Sequence, residues 1–509
     1  MSTSRQEARW GRAGQELILD SKILITGLGP AGIEALKTAA MLGVGTIYLV
    51  DNKSSEGFFL DQQLNSTEKR VKQLEKIVNN LEFQSGGTGK NVNVVAFEED
   101  FINNSALIEN LAPDAIFDFS NDPSSQSQSL EYGITLAETK PVEVFLGGCD
   151  ANNMILNQYT PQEDDDLEDA EDDHILFTFE GKEQDISLSH IISSLAIESF
   201  RKELFLKNKE KLKDAKNYRG DLYEEPDSHF DSRLFYSTAA REDPDHADKT
   251  LDVRKAIAGK KFLVCGNGAI GNPVIDMLAR YGAAQIDLID YDTIEAHNIE
   301  RQPFFCKRVG DYKAEVMSEK VKDIAKKTGR SIESTALVGK IGEQHPEDPA
   351  DIPYYTEEWF AENRYDMIFG CFDGPIPRDN MHKYTTKLGL KYVDGGSDPI
   401  GCDVTVYVPG KTACINCTID VETFANTARA ELRALRAESC VANPEITPNV
   451  CMSNRIAAAL MVIETARDLS GEYEPLDGKI EYLNVDAGIE TQPWMTRCDL
   501  CKNDDTGEK

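Results

Sequence analysis

Apolar runs and helical patterns alternate along this chain, and the alternation occurs twice. In the second half, Phe262-Leu263-Val264-Cys265 is a short continuous apolar run, the pattern of a buried strand. Gly266-Asn267-Gly268-Ala269-Ile270-Gly271 comes next, and then apolar positions at helical spacing to about Tyr281. A second run, Ile286-Asp287-Leu288-Ile289, ends on Asp290, 24 residues after Gly266. Strand, glycine loop, helix, strand and acidic residue make a nucleotide-binding unit. The glycines let the backbone turn tightly and approach a phosphate at a helix N-terminus, and the acid is placed for a ribose hydroxyl. The first half repeats the plan, with Ile23-Leu24-Ile25, Gly27-Leu28-Gly29-Pro30-Ala31-Gly32, a helix to about Leu42, and Ile47-Tyr48-Leu49-Val50 ending on Asp51. The chain therefore carries an internal duplication. The pattern predicts an α/β fold of two doubly wound, Rossmann-like domains.

The remaining pattern fills in that plan. Residues 93–97, 115–118 and 142–146 read as further strands, and 187–205 has helical spacing. Residues 207–249 are polar and contain Gly220, Pro226 and Pro244, so a linker is expected there. The organisation read from this is a first domain over 1–205, a linker over 206–250 and a second domain over 251–509. In the second half a helix runs from Lys313 to about 327, a strand over 366–373 ends on Asp373, and helices cover 422–438 and 453–469.

At 509 residues the chain can bury proper cores. Its formal net charge of -34 argues against nucleic-acid binding and suits basic partners. The acidic run over 163–173 reads as a loop, with docking of a basic partner as its alternative use. With no run of 18 apolar residues and no signal peptide, a soluble, cytoplasmic protein without membrane attachment is expected. Among eleven cysteines, Cys414 and Cys417 form one CxxC pair and Cys498 and Cys501 another. Four thiolates suit a closed tetrahedral Zn²⁺ that staples distant segments, with a redox pair as the alternative.

The residues past Asp290 separate two nucleotide readings. A dinucleotide needs little cationic help beyond the helix terminus, whereas a triphosphate that is to be cleaved needs several positive groups. Beyond Asp290-Tyr291-Asp292, Asn298 supplies an amide and Arg301 and Lys313 two cations just past the loop, with Gln302 next to Arg301. Asp373, at the carboxyl end of its strand, is placed to meet the phosphates and to hold Mg²⁺. In the first half Asp51 is followed by Asn52-Lys53-Ser54-Ser55, without such a set, so that copy reads as non-catalytic.

Asp290-Tyr291-Asp292, Asn298-Ile299-Glu300-Arg301-Gln302 and Lys313 resemble the adenylation domain of ubiquitin-activating enzymes and their ThiF/MoeB relatives. The resemblance covers about residues 1–150 and 255–505. It implies ATP binding by Gly266, Gly268, Gly271, Asp290, Asp292, Asn298, Arg301, Lys313 and Asp373. Where the family has Asp-Asn-x-x-x-Arg, this chain has Asp373-Gly374 and then Arg378, with Pro375 and Pro377 expected to delay the following helix. Arg5-Gln6 and Trp10-Gly11 are similar to the start of the family's non-catalytic subunit, which implies that Arg5 reaches the ATP of the second half. The resemblance also implies a thioester-forming cysteine in a crossover segment over about 418–452. Two candidates stand there. Cys440, 23 residues past Cys417, is favoured; Cys451, near a predicted helix N-terminus whose dipole would favour a thiolate, is the alternative. Cys265, Cys306 and Cys371 read as packing.

What the resemblance implies as a whole is an enzyme that adenylates the C-terminal glycine of a ubiquitin-like protein. It would form a thioester with that protein and pass it to a conjugating-type enzyme, using ATP, Mg²⁺ and Zn²⁺, as a monomer that is an internal pseudo-dimer. The chain stops eight residues after Cys501, so recruitment of that enzyme is expected to use a surface other than an appended ubiquitin-fold domain. The alternative activity is that of a ThiF/MoeB-like sulfur-carrier adenylyltransferase. A non-enzymatic scaffold is opposed by the intact Asp290, Arg301, Lys313 and Asp373.

Overall fold

The computed structural model describes residues 6–54, 57–60, 62–81, 92–162, 167, 179, 183–213, 234–243, 249–344, 352–398, 401–438, 450–484 and 488–493. Two sheets carry the fold. The first contains β1 (Lys22–Thr26), β2 (Thr46–Val50), β3 (Asn93–Phe97), β4 (Ala115–Asp118), β5 (Glu143–Cys149), β6 (Asn153–Tyr159) and β7 (Leu234–Ser237), in the spatial order β3-β2-β1-β4-β5-β6-β7. The second contains β8 (Lys261–Cys265), β9 (Gln285–Ile289), β10 (Ala336–Leu337), β11 (Met367–Gly370), β12 (Tyr392–Ser397), β13 (Cys402–Tyr407), β14 (Gly478–Tyr482) and β15 (Ile489–Pro493), in the order β10-β9-β8-β11-β12-β13-β14-β15. In each sheet the first five strands of that order are parallel and the rest antiparallel. The duplication read from the glycine loops thus extends through seven strands of each sheet, the second sheet adding β15 at its edge. The order reverses between β1 and β4 and between β8 and β11, which opens the crevice where such sheets take ligands.

The helices that matter for the site are α1 (Glu7–Asp20), α2 (Pro30–Leu42), α3 (Arg70–Leu81), α4 (Ile186–Lys207), α5 (Gly271–Tyr281), α6 (Lys313–Thr328), α7 (Pro375–Leu388), α8 (Val421–Glu438) and α9 (Cys451–Ser470). α4 packs on α2 and α9, and α9 packs in turn on α5, β12 and β13. Both α4 and α9 are buried on nearly every side, which is why their apolar pattern lacks a polar face. One hydrophobic cluster includes Ile23, Leu36 and Ile192 of the first half and Phe262, Leu278 and Leu460 of the second, so the halves share a core.

Polar clasps cross the same junction. The Tyr281 hydroxyl donates to Asp185 Oδ2 at 2.7 Å and accepts from the Ser187 amide at 3.0 Å. Arg241 donates twice to Glu464, at 2.9 and 2.8 Å, and Arg455 of α9 pairs with Glu34 of α2. Among the described residues no helix is long and apolar enough to cross a membrane.

Two details differ from the sequence reading. The polar stretch expected to be a linker contains Leu234-Phe235-Tyr236-Ser237, which becomes β7 at the edge of the first sheet. A four-residue strand flanked by charge gives no periodicity to detect. The helix expected to start late begins at Pro375 itself: a proline fits the first helical position, where its missing N–H costs nothing.

Candidate active site

The second glycine loop is fixed by close backbone approach. Gly266 adopts φ +90°, and a Cβ there would meet the Cys371 carbonyl oxygen at 2.5 Å. A Cβ on Gly271 would meet the Gly266 carbonyl oxygen at 2.1 Å, so α5 starts against the loop only because both residues are glycine. Gly268 faces only the Gln302 amide, at 3.7 Å. Asp290, at the end of β9, ties the loop to the strand. Its Oδ2 accepts from the Asn267 amide at 2.6 Å and its Oδ1 from the Asp292 amide at 2.8 Å. Burial pushes the Asp290 carboxyl up to about 6, although Lys313 draws it down.

Lys313 is the first residue of α6, and its amide donates to the Asp292 carbonyl at 3.0 Å. Its ammonium pairs with Asp292 Oδ2 at 2.7 Å, which holds a cation beside the loop. Asn298 accepts the Glu295 amide at 2.9 Å within a reciprocal cap, so its side chain sets the turn that carries Arg301. Arg301 is buried and donates to the His297 carbonyl at 3.0 Å. Buried amide oxygens of Asn267, Asn272 and Gln302 accept no hydrogen bond among the described residues. The structure therefore gathers Gly266, Gly268, Gly271, Asp290, Asp292 and Lys313 around one loop, with Asn298 and Arg301 on the turn that follows β9.

The first half keeps the backbone of this site and changes its chemistry. Asp51 Oδ1 accepts the Lys53 amide at 2.7 Å, as Asp290 accepts Asp292. The Arg70 amide donates to the Lys53 carbonyl at 3.2 Å and opens α3, as Lys313 opens α6. The Arg70 guanidinium, however, turns onto the Leu28 carbonyl of the glycine loop itself. The N-terminus of α2 is filled by Gln184, whose Oε1 accepts from the Ala31 amide at 3.2 Å, where an anion would sit. A Cβ on Gly27 would meet Phe119 and Ser120, as one on Gly266 would meet Cys371 and Phe372. Asn121 thus stands at the place of Asp373, and its amide is spent on the Cys149 carbonyl. Gln184, Asn121 and Arg70 were missed by sequence reasoning. Aligning the two copies on Asp51 and Asp290 and reading the first residue of the next long helix in each would have pointed to Arg70.

Asp373 is exposed at the end of β11, and no hydrogen bond or ion pair occupies it among the described residues. It lines a cleft of about 410 Å³ together with residues of β12, β13, β14 and α8. A carboxylate there can take a hard cation beside the glycine loop. Arg378 faces inward. It donates to the Phe372 carbonyl at 2.8 Å and the Gly395 carbonyl at 2.9 Å and pairs with Asp394, so it braces the turn after β11.

The Cys414 and Cys417 sulfurs lie 3.7 Å apart. That is close to the roughly 3.8 Å edge of a tetrahedron with Zn–S bonds of about 2.3 Å, so this pair fits two ligands on one metal. Cys498 and Cys501 lie outside the described residues, as do Arg5 and Cys440 and nearly all of the acidic run 163–173. Gln6, next to Arg5, is anchored to the Met41 carbonyl at 3.0 Å. Cys451, the alternative nucleophile, has surroundings that its helix position did not suggest. It does open α9, but it is packed against the Thr38 carbonyl of the first half and Met452, and burial pushes its thiol up to about 12. At this position desolvation outweighs the helix dipole, which favours the neutral thiol of Cys451. Cys265 and Cys371 are buried packing residues, as their strands suggested.

The ThiF family model matches residues 3–124 and 246–505. The chain is 26% identical over 167 residues to a ubiquitin-activating enzyme E1-like protein of Saccharomyces cerevisiae, covering 33% of this chain and 24% of that one. It is 28% identical over 172 residues to the NEDD8-activating enzyme E1 catalytic subunit of the same yeast, covering 31% and 51%. With SUMO-activating enzyme subunit 2 of Dictyostelium discoideum the identity is 27% over 158 residues, covering 31% and 22%. The chain thus spans between about a fifth and a half of the length of these relatives. A crystal structure of Escherichia coli MccB with AMPCPP and MccA is similar over 49% of this chain and 68% of its own, at 23% identity and a TM-score of 0.37. Through the family model, which covers both halves and both glycine loops, the chain belongs to the ThiF family.

Proposed function

We propose that this chain is an ATP-dependent activating enzyme for a ubiquitin-like protein, built as an internal pseudo-dimer whose second half, 251–509, is catalytic and whose first half, 1–205, is not. The observation that carries the reading is the contrast between the two loops. Around Gly266–Gly271 a ribose acceptor, Asp290, and a phosphate cation, Lys313 held by Asp292, stand beside the N-terminus of α5, which has no side-chain cap among the described residues. Around Gly27–Gly32 the same positions are closed by Arg70 and Gln184. The relatives whose names specify ubiquitin, NEDD8 and SUMO activation support a protein substrate.

ATP lies with its ribose on Asp290 and its phosphates over the glycine loop. Asn298, Arg301, Lys313 and Arg5 stabilise charge that develops as the substrate's C-terminal carboxylate attacks the α-phosphorus. The new carboxylate–phosphorus bond forms as the bond to the leaving pyrophosphate breaks, giving a mixed anhydride with AMP. Asp373 would hold Mg²⁺, which when bound neutralises phosphate charge. The Cys440 thiolate then attacks the acyl carbon, AMP leaves, and the thioester passes to a conjugating-type enzyme. The burial of Cys451 favours Cys440 for that step. Cys414, Cys417, Cys498 and Cys501 would hold a structural Zn²⁺.

Incubation with ATP, Mg²⁺ and a glycine-ended ubiquitin-like protein should give a conjugate that thiol removes, present in wild type and absent in Cys440→Ala. Carrier-dependent pyrophosphate release without any thiol-labile conjugate would move the assignment to sulfur-carrier adenylation.

A further inference from the structure

Asp373 makes no hydrogen bond or ion pair of its own among the described residues, so its place depends on the backbone that carries it. The peptide that leads into Asp373 contains the Phe372 carbonyl. A peptide unit is planar, so a hold on that oxygen fixes the direction in which the Asp373 side chain leaves the turn. Arg378 supplies the hold. Its Nη2 donates to the Phe372 carbonyl at 2.8 Å and to the Gly395 carbonyl at 2.9 Å, which ties the turn after β11 to β12. Arg378 is aimed in turn by Asp394, whose fully buried carboxylate pairs with Nη1. The Tyr392 hydroxyl donates to the other Asp394 oxygen at 2.6 Å and fixes the rotation of the carboxylate. Tyr392 and Asp394 close over Gly370, where a Cβ would strike the Tyr392 hydroxyl and come within 2.8 Å of Asp394 Oδ1.

The first half shows that the fold itself does not need this chain of contacts. Asp118 pairs with Leu146 there as Gly370 pairs with Asp394 in the second half. By the same register Val144 stands for Tyr392, and Gln126, five residues past Asn121, stands for Arg378. That turn is held instead by Asp118, whose Oδ1 accepts the Ser120 amide at 2.8 Å and whose Oδ2 accepts from Ser125 and Ser129. The Tyr–Asp–Arg chain accompanies the exposed aspartate and is missing where asparagine replaces it.

We infer that Tyr392 and Asp394 are positioning residues for adenylation, which act through Arg378 to orient Asp373 toward the metal and the phosphates. This rests on the role proposed for Asp373 above. Both residues are buried behind the turn, and they supply precision rather than contact. A carboxylate on an untethered turn wanders in solvent, and its share of the metal's binding falls with the time it spends out of place.

The test compares the calorimetric affinity of the full chain for a non-hydrolysable ATP analogue in Mg²⁺ with that in EDTA. The ratio reads the metal's contribution apart from turnover. Arg378→Gln with Asp394→Leu installs the first half's residues and strands no buried charge, and Tyr392→Phe removes a single hydroxyl. In both variants the ratio should fall at least about threefold while the affinity in EDTA stays within about twofold of wild type. A smaller fall in the double variant, or an equal loss with and without Mg²⁺, would overturn the inference. A fall in the double variant without one in Tyr392→Phe would overturn the part given to Tyr392. If the double variant does not fold, Tyr392→Phe decides. Asp373→Ala separates the inference from the reading beneath it. An unchanged ratio there would refute the role of Asp373 and the inference with it, whereas a fall in Asp373→Ala alone leaves that role standing and overturns only the inference.

Discussion

Replacing Glu34 by glutamine tests whether the two halves stand as one unit. Glu34 lies on α2 and is 2% exposed. Its Oε1 is 2.6 Å from the Lys37 ammonium, its other oxygen pairs with Arg455 of α9, and His190 Nε2 is 3.6 Å away. Burial alone would raise the Glu34 carboxyl, but Lys37, His190 and Arg455 together hold it well below the usual range. The amide leaves two buried cations without their counter-charge, and Asp276 is already taken by Arg280 at 2.7 Å. Stranding a buried charge in this way costs about 3–5 kcal/mol. Part of that loss is escapable, because Lys37 can shed its proton at about 1.4 kcal/mol per pH unit, so the destabilisation should shrink as pH rises from about 7 toward 10. Urea unfolding read separately from Trp10 in the first half and Trp359 in the second gives the assay, in variants that keep one indole each. Both indoles should report the same loss. A loss below about 1 kcal/mol, or a shift of only one indole, would refute the claim that this clasp joins the halves.

The site yields further expected outcomes. Lys313→Met should lower substrate-dependent ATP–pyrophosphate exchange by about 10²- to 10³-fold, because it removes a charge aimed at the phosphates; an unchanged rate would remove Lys313 from the machinery. The Asp290 carboxyl titrates at about 6 in the folded chain and near 3.9 when unfolded, so folding takes up a proton between those values. Its contribution favours the folded state at low pH and is lost as pH rises through about 6. ATP, which needs the carboxylate as acceptor, should bind more weakly as pH falls through about 6, and a flat calorimetric profile would contradict the ribose role. Calorimetry should also find one ATP per chain, since Gln184 fills the first loop; two would show that loop to be open. Metal analysis should find one zinc per chain, lost with stability on chelation, and a stable chain without zinc would dismiss the four-cysteine site.

Much of the fold could be read from periodicity, because the apolar runs before Gly27 and Gly266 are long enough to be strands and their glycine spacing marks the start of the next helix. The strand at Leu234–Ser237 was hidden because it is short and lies in a charged stretch, and its pairing with β6 is a tertiary fact. At the site, residue types and order pointed to Asp290, Lys313 and Asp373. Sequence could not show that Asp292 holds Lys313, since that contact spans 21 residues. Nor could it show that Cys451 is buried: its helix position argued for a thiolate, whereas the packing of α9 against α2, which pushes the thiol up, is a tertiary fact. The closing of the first loop by Gln184 was equally illegible, because it joins residues 153 positions apart.

The most direct test of the central claim is exchange of labelled pyrophosphate into ATP by the full chain, with and without a glycine-ended ubiquitin-like protein, in wild type and Asp373→Ala. Exchange that requires the carrier and is lost in the variant, with the fold retained, is the predicted result. Exchange that ignores the carrier, or persists undiminished in Asp373→Ala, would contradict the account.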